Sequence, residues 1–286
     1  MSDGLHIIDP GVLTTIQDEG RPGLAAFAVS PSGAADKPAY RLANRVVGNR
    51  GGAAALELTF GGVRIRADRD LVLAVTGAPL PVTLDGVGVA MGQAIWARAG
   101  SELVFGWPSA GLRSYLGVRG GIEVDAVLGS RSTDTLGHLG HRPLAAGDRL
   151  EVGEEIERMP APDQVPTHPI ETHPVFDLIP GPRLEWMETA SAGLLTSATF
   201  SVSDRLDRIG ARLVGPPLRR AITRELPSEA VILGAVQLPP NGEPIIFGPD
   251  HPTTGGYPVV AVVSERQLPM VAQLRPGQDV RFRWLR

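Results

Sequence analysis

Apolar residues in this chain fall in short bursts broken by glycine, proline and charged residues, a spacing that favours strands over helices. It predicts strands over Val63–Arg66, Leu71–Thr76, Pro81–Leu84, Glu102–Phe105, Arg113–Val118 and Arg149–Val152. Further strands are predicted over Val231–Leu238, Pro244–Phe247, Val259–Val263 and Asp279–Trp284. Arg281-Phe282-Arg283-Trp284 alternates polar and apolar as a half-buried strand does, and Asp85-Gly86 between two apolar runs is a hairpin turn. One segment keeps a helical period. In Asp36–Val47, Asp36 supplies a cap, Pro38 is tolerated in the first turn and Gly48 stops the helix. Ala39, Leu42, Ala43, Val46 and Val47 form its apolar stripe and leave Arg41 and Arg45 to solvent. A weaker helical reading covers Ile209–Val214, ending at Gly215.

The 35 glycines and 26 prolines among 286 residues cut the chain into short elements and support a β-rich architecture. Prolines at 160, 162, 166, 169 and 174 mark a semi-rigid connector, so the expected layout is an N-terminal half over 1–152, a connector over 153–174 and a C-terminal half over 175–286. Hydrophobic content of 43% with 20% charge is that of a folded domain with a sizeable core. A net charge of −4 argues against nucleic acid or an acidic membrane surface as the main partner. The chain has no cysteine, which excludes disulfides, thiolate metal sites and a cysteine nucleophile. No secretory leader and no apolar stretch of bilayer length is visible, so a cytoplasmic location is expected. Lys37 is the sole lysine, leaving none for a phosphate-binding loop, a Schiff base or biotin attachment.

Two polar clusters carry the candidate chemistry: Thr14–Gly23 near the start and Asp250–Pro258 near the end. Each sets acids, hydroxyls and amides beside glycines, which let backbone approach a ligand closely. Elaborate surface turns account for such clusters equally well by composition. Arginines stand beside acids at Asp18/Arg21, Arg131/Asp134 and Asp207/Arg208, an arrangement suited to binding a carboxylate or amide, although a solvated pair is the ordinary reading. Arg21, flanked by glycines, is expected to carry little of the core. His138, His141, His168 and His173 lack a completing carboxylate or cysteine, so no metal site is assigned. Neither a Walker nor a Rossmann glycine pattern nor a Gly-x-Ser-x-Gly elbow is present.

Ordered motifs run along nearly the whole chain. They are Pro10–Arg21, Ser32–Asp36, Arg41–Asn49, Ala54–Thr59, Ser114–Leu116, Gly120–Ile122, Val127–Thr133, Asp207–Gly210, Gln237–Gly242 and Thr253–Pro258. With these the chain resembles the allophanate hydrolase subunit 2 family, also called the biotin-dependent carboxyltransferase or Kip-antagonist family, which includes components of ATP-dependent 5-oxoprolinase. Two positions depart from the family pattern: Leu206 stands where serine is usual, and Pro252 where glutamine is usual.

The resemblance implies a mainly β fold of two cyclophilin-like β-barrel units with a few short helices. It implies one member of an ATP-dependent complex that hydrolyses 5-oxoproline to glutamate, active only with its partners. Those partners are a companion subunit 1 (Kip-inhibitor-like, the B-type component of the enzyme) and a lactam-utilisation protein, its A-type component. One alternative is the carboxyltransferase component of a urea- or allophanate-type system, with carboxybiotin carried on another chain. A second is a non-catalytic Kip-antagonist regulator. No cofactor is assigned to this chain; ATP is used by the complex. Chemistry and motif position assign catalysis to Asp18, Arg21, Asp207, Arg208 and Tyr257. Substrate binding is assigned to Gln17, Ser32, Gly33, Asp36, Asn44, Glu57, Arg131, Ser132, Thr253, Thr254, Gly255 and Gly256, with both polar clusters expected to face one cleft.

Overall fold

The computed structural model describes residues 4–154, 165 and 169–285. Most of the proline-rich connector, with His168, lies outside the described residues. Two compact units emerge: Met1–Arg21 with Ser32–Ile170, and Pro22–Pro31 with Glu171–Arg286. Among the described residues, no helix is long and apolar enough to cross a membrane.

The first unit contains β1 (Gly4–Pro10), β2 (Leu13–Gln17), α1 (Lys37–Val46), β3 (Ala55–Thr59), β4 (Val63–Ala67), β5 (Leu71–Gly77), β6 (Val82–Leu84), β7 (Val87–Val89), β8 (Ile95–Ala97), β9 (Glu102–Phe105), β10 (Arg113–Val118), β11 (Ile122–Glu123) and β12 (Arg149–Val152). Seven of these strands form a sheet in the order β11-β12-β1-β4-β9-β6-β7, and five form a second in the order β2-β3-β10-β5-β8. Alternate residues turn inward into one apolar core that includes Leu5, Ile7, Leu56, Leu58, Val63, Ile65, Leu73, Val75, Leu103, Phe105 and Leu116. Asp85 and Gly86, with φ of 51° and 79°, link β6 to β7 in register Leu84↔Val87, the hairpin expected from sequence.

Helix α1 forms where the sequence places it. Asp36 is its N-cap, its side chain accepting from the Ala39 N–H at 3.0 Å, and Pro38 sits in the first turn. Arg41 and Arg45 are exposed as expected. Tyr40 and Asn44 are buried as well, because the helix packs on β10 and β5 rather than lying half in water. Strand β2 takes in the first four residues of the first polar cluster, Thr14–Gln17, which are buried with polar side chains bonded inside the protein.

The second unit contains β13 (Val175–Pro180), α2 (Thr189–Ser197), β14 (Phe200–Leu206), β15 (Gly210–Val214), β16 (Glu229–Ala230), β17 (Ala235–Gln237), β18 (Ile245–Phe247), β19 (Thr254–Gly255), β20 (Val259–Val263), α3 (Leu268–Val271) and β21 (Asp279–Trp284). Seven strands close into a barrel in the order β13-β20-β17-β18-β15-β14-β21, completed by the parallel pairing of β13 with β21. Closure leaves no free edge, and Phe176, Leu178, Phe200, Leu213, Val236, Ile246, Val260 and Phe282 fill the interior. A separate ribbon pairs β16 with β19.

Two sequence expectations are corrected here. Ile209–Val214 is a strand, β15, not a helix: Ala211 and Leu213 turn inward while Arg212 and Val214 turn outward, and pairing with β14 and β18 supplies its hydrogen bonds. Val231–Leu238 is not one strand. Gly234 at φ 80° breaks it, its N–H donating to the Phe247 carbonyl, and only Ala235–Gln237 pairs.

Asp177 on β13 shows how charge closes the barrel. Its carboxylate is 1% exposed and meets Arg283 Nε of β21 at 2.5 Å together with Arg266. Arg283, then Arg266, hold this carboxyl below the usual carboxylate range. A carboxyl with a depressed folded pKa stabilises above its unfolded value of about 4 and loses that contribution as pH falls through the folded value. Asp177→Asn should therefore lower the melting temperature at pH 7. The difference from wild type should shrink below about pH 4, and a scan of thermal unfolding against pH checks this.

Candidate active site

Strand β2 ends in the residues that organise the first unit's loops. Its outer edge is covered by irregular chain, with Thr133 N–H donating to the Ile16 carbonyl and Leu144 N–H to the Thr14 carbonyl, both at 2.9 Å. Just beyond, Asp18 is 7% exposed. Its Oδ1 accepts from Ser130 Oγ and Ser132 Oγ, each at 2.6 Å, and from Gly20 N–H at 2.8 Å. Its Oδ2 accepts from the Arg131 N–H at 2.7 Å. The Asp18 N–H donates to Ser132 Oγ and its carbonyl accepts from Ala34 N–H, both at 2.9 Å. One aspartate thus joins the 130–132 and 32–36 loops.

Arg21 is 2% exposed, so the expectation that it carries little of the core is wrong. Its Nε donates to the Val127 carbonyl at 3.3 Å and its Nη2 to the Ser132 carbonyl. Val127 and Ser130 close a tight turn through Leu128 at φ 53° and Gly129 at φ 81°. Ser32, also left-handed at φ 50°, donates from Oγ to the Thr133 carbonyl at 2.9 Å. Gly33 must be glycine: a Cβ there would stand 2.8–2.9 Å from backbone atoms of Glu19 and Gly20. Gln17 donates from Nε2 to the same Thr133 carbonyl and to Thr15 Oγ1, both at 3.0 Å. Ser32, Leu128 and His138 are non-glycine residues at φ of 50–53° in loops around Asp18 and Arg21. Such strain persists where surrounding structure over-determines it, commonly at functional sites.

Gln17, Asp18, Arg21, Ser32, Gly33, the Arg131 backbone and Ser132 therefore come together. The Arg131 guanidinium turns elsewhere, to Glu123 Oε2 at 2.5 Å and the Val124 carbonyl at 2.9 Å, while Asp134 Oδ1 accepts from Leu136 and Gly137 N–H. Glu57 is fully buried, accepting from Tyr115 Oη at 2.7 Å and Ala35 N–H at 2.9 Å, with Arg113 Nε at 3.5 Å. Tyr115 Oη also accepts from the Asp36 N–H at 2.7 Å. Burial, then the Glu57 charge, pushes the Tyr115 phenol well above its ordinary value, so it acts as a fixed neutral donor. Asn44 braces α1, donating to the Ala53 carbonyl and accepting from Asn49. Sequence reasoning missed Tyr115, which reads as a core residue on an apolar strand.

In the second unit the Arg208 guanidinium reaches across to Asp250 on another loop. It meets Asp250 in a two-pronged ion pair, Nε to Oδ2 and Nη2 to Oδ1, both 2.9 Å, with side chains 1% and 0% exposed. Asp207 is exposed and caps the Ile209 and Gly210 N–H groups through Oδ1 at 2.8 and 3.0 Å. Asp250 N–H donates to the Arg208 carbonyl at 3.0 Å, so the two loops are tied by backbone and side chain. Thr254 and Gly255 form β19, held by β16, while the Val231 N–H donates to the Thr253 carbonyl at 3.0 Å. Thr254, Gly256 and Tyr257 are exposed, and Gln237 Nε2 donates to the Tyr257 carbonyl at 3.0 Å. This second cluster thus combines a buried ionic anchor with an accessible loop of hydroxyls and glycines.

Among the described residues, no group of three or more His, Cys, Asp and Glu is placed to hold a metal.

These two β units, with polar loops fastened by buried carboxylates, define a carboxyltransferase-type domain. The chain belongs to the family described as carboxyltransferase domain, subdomain A and B, whose model matches residues 27–284. It is 38% identical over 289 residues to the C component of the 5-oxoprolinase of Escherichia coli K12, covering 97% of this chain and 90% of that one. The crystal structure of TTHA0988 superposes with a TM-score of 0.90 at 37% identity over 99% of this chain, which spans 56% of its length. That of the K. lactis urea amidolyase superposes with a TM-score of 0.91 at 31% identity over all of this chain, which spans 19% of its length.

Removing the Asp18 carboxylate leaves buried hydroxyl and N–H donors without their acceptor. Asp18→Ala should cost about 3 kcal/mol or more of stability, read by chemical denaturation. Asp18→Asn, which keeps an acceptor at one oxygen, should cost less. Equal stability of wild type and Asp18→Ala would show that the loops hold themselves.

Proposed function

We propose that this chain is the C-type component of an ATP-dependent 5-oxoprolinase. The complex adds one water across the ring amide of 5-oxoproline to give glutamate, and a second is consumed as ATP becomes ADP and phosphate. The observation that carries this reading is the 38% identity to the C component of a 5-oxoprolinase over nearly the full length of both chains. A lettered component implies others, and we assign these as the Kip-inhibitor-like B-type component and the lactam-utilisation A-type component, working together in the cytoplasm.

The ring amide is unactivated, so the site must stabilise negative charge on its carbonyl oxygen. Thr253, Thr254 and the backbone of Gly255 and Gly256 are suited to donate there, since this loop is short, glycine-bearing and partly exposed. We assign proton transfer to Tyr257, which is 44% exposed and so open to a ligand. Asp18 and Arg21 act by holding the 127–132 and 32–36 loops in one geometry, with Gln17, Ser32, Gly33 and Ser132 completing that set. Asp36 and Glu57 fix the 32–36 loop through Tyr115, Asn44 steadies α1, and Arg131 contributes its N–H to Asp18. Arg208 sets the 248–252 turn through Asp250, and Asp207 shapes the bend before β15.

A second reading, a carboxyltransferase component receiving carboxybiotin from another chain, is favoured by the family model and by the likeness to urea amidolyase. Reconstitution separates the two. The purified chain alone should show neither ATP hydrolysis nor 5-oxoproline turnover, and addition of the A-type and B-type components should bring on both. Turnover by the chain alone overturns the proposal, as does a complete complex that ignores 5-oxoproline.

Arg21 gives a sharper test within that complex. Arg21→Ala should lower turnover by on the order of a hundredfold and also lower the melting temperature, because the buried Ser132 carbonyl loses its guanidinium donor and the Val127 carbonyl loses one of its two donors. Arg21→Lys, lacking the planar fork, should restore little of either.

A further inference from the structure

Gln237 lies on β17 where its register against β20 slips, Val236 facing Ala261 and Gln237 facing Val259. The slip re-aims a side chain, as bulges beside functional loops do. Gln237 is 3% exposed, and its Nε2 donates to the Tyr257 carbonyl at 3.0 Å. A carbonyl oxygen only accepts, so this bond settles which end of the carboxamide is which. Oε1 is left without a hydrogen bond among the described residues. Unlike the Oε1 of Gln17, it is not shut away from solvent. The neighbouring loop makes room for the group: a Cβ on Gly255 would stand 2.5 Å from Nε2 and 3.7 Å from Oε1. Gly255 is not among the glycines with left-handed backbone, so a side chain there would meet the amide of Gln237 rather than a backbone restriction.

We propose that Gln237 Oε1 is the acceptor that reads the N–H of the amide substrate. Oε1 is open to solvent and unclaimed among the described residues, so a ligand N–H can take the place of water there, and the bond to Tyr257 holds the amide so that only Oε1 is offered. The ligand class is a compound with an amide N–H beside its carbonyl, a lactam or a urea. The inference rests on the amide-cleaving reading above. It places the N–H contact beneath the same loop whose hydroxyl and backbone donors serve the carbonyl oxygen.

The test is calorimetric binding to the reconstituted complex without ATP. Two ligand pairs are compared, 5-oxoproline with the lactone that carries oxygen in place of its ring N–H, and urea with dimethyl carbonate. A site that hydrogen-bonds a substrate N–H rejects the isostere lacking it. Wild type should therefore bind 5-oxoproline at least about tenfold more tightly than the lactone. Gln237→Leu should erase that difference by weakening 5-oxoproline while leaving lactone affinity unchanged. Retained discrimination in Gln237→Leu overturns the proposal, and so does an equal loss for lactam and lactone, which marks a purely structural role. Discrimination of urea alone, abolished by Gln237→Leu, overturns the 5-oxoprolinase reading and leaves the Gln237 assignment standing. Binding of neither amide by wild type overturns both.

Discussion

A carboxylate taken out of water must be given donors, and in the first unit that demand is met at Asp18. Two serine hydroxyls and two backbone N–H groups converge on it, so loops far apart in sequence are held in one arrangement. Charge-assisted bonds of this kind are roughly twice as strong as neutral ones. They offset the conformational cost of holding Ser32 and Leu128 in left-handed backbone. Arg21 extends the arrangement by donating to carbonyls of the same loop.

The second unit reaches the same end by another route. Arg208 and Asp250 neutralise each other out of solvent, and a buried pair of this type specifies geometry more surely than it adds stability. What it specifies is the turn leading into Thr253–Tyr257. Asp18 and Arg21 in the first unit and Arg208 and Asp250 in the second are buried and already engaged, while the second unit's Thr253–Tyr257 loop leaves hydroxyl, backbone and glycine accessible. That division suits the amide-cleaving reading proposed above. The likenesses fit it too: a 5-oxoprolinase component and a urea amidolyase share this fold, and both names refer to amide-bearing compounds.

Local chemistry made much of the fold legible. The cap at Asp36, the stop at Gly48 and the turn at Asp85-Gly86 depend on residues within a few positions of one another, and each appears where the sequence places it. Strands Glu102–Phe105, Arg113–Val118, Arg149–Val152, Val259–Val263 and Asp279–Trp284 likewise match, because side-chain alternation is a property of the strand itself. Ile209–Val214 reads as a weak helix ended by Gly215, and pairing with β14 and β18 decided its form. Val231–Leu238 reads as one strand, yet a single glycine turns the chain out of line. Gln17, Asp18 and Arg21 were legible as one polar cluster, but its burial and its joining with Ser32, Gly33 and Ser132 were not.

By itself the sequence determined the β-rich class, the helix at Asp36–Val47, the absence of cysteine chemistry and the loops rich in polar residues and glycine. Those follow from composition and from contacts a few residues long. Tertiary structure decided which charge meets which. Asp207 and Arg208 are adjacent in the chain, yet Arg208 pairs with Asp250 and Asp207 caps a turn. Asp18 turns to Ser130 and Ser132. The reason is range: a hydrogen bond reaches about 3 Å, and only folding brings residues more than a hundred positions apart within that reach.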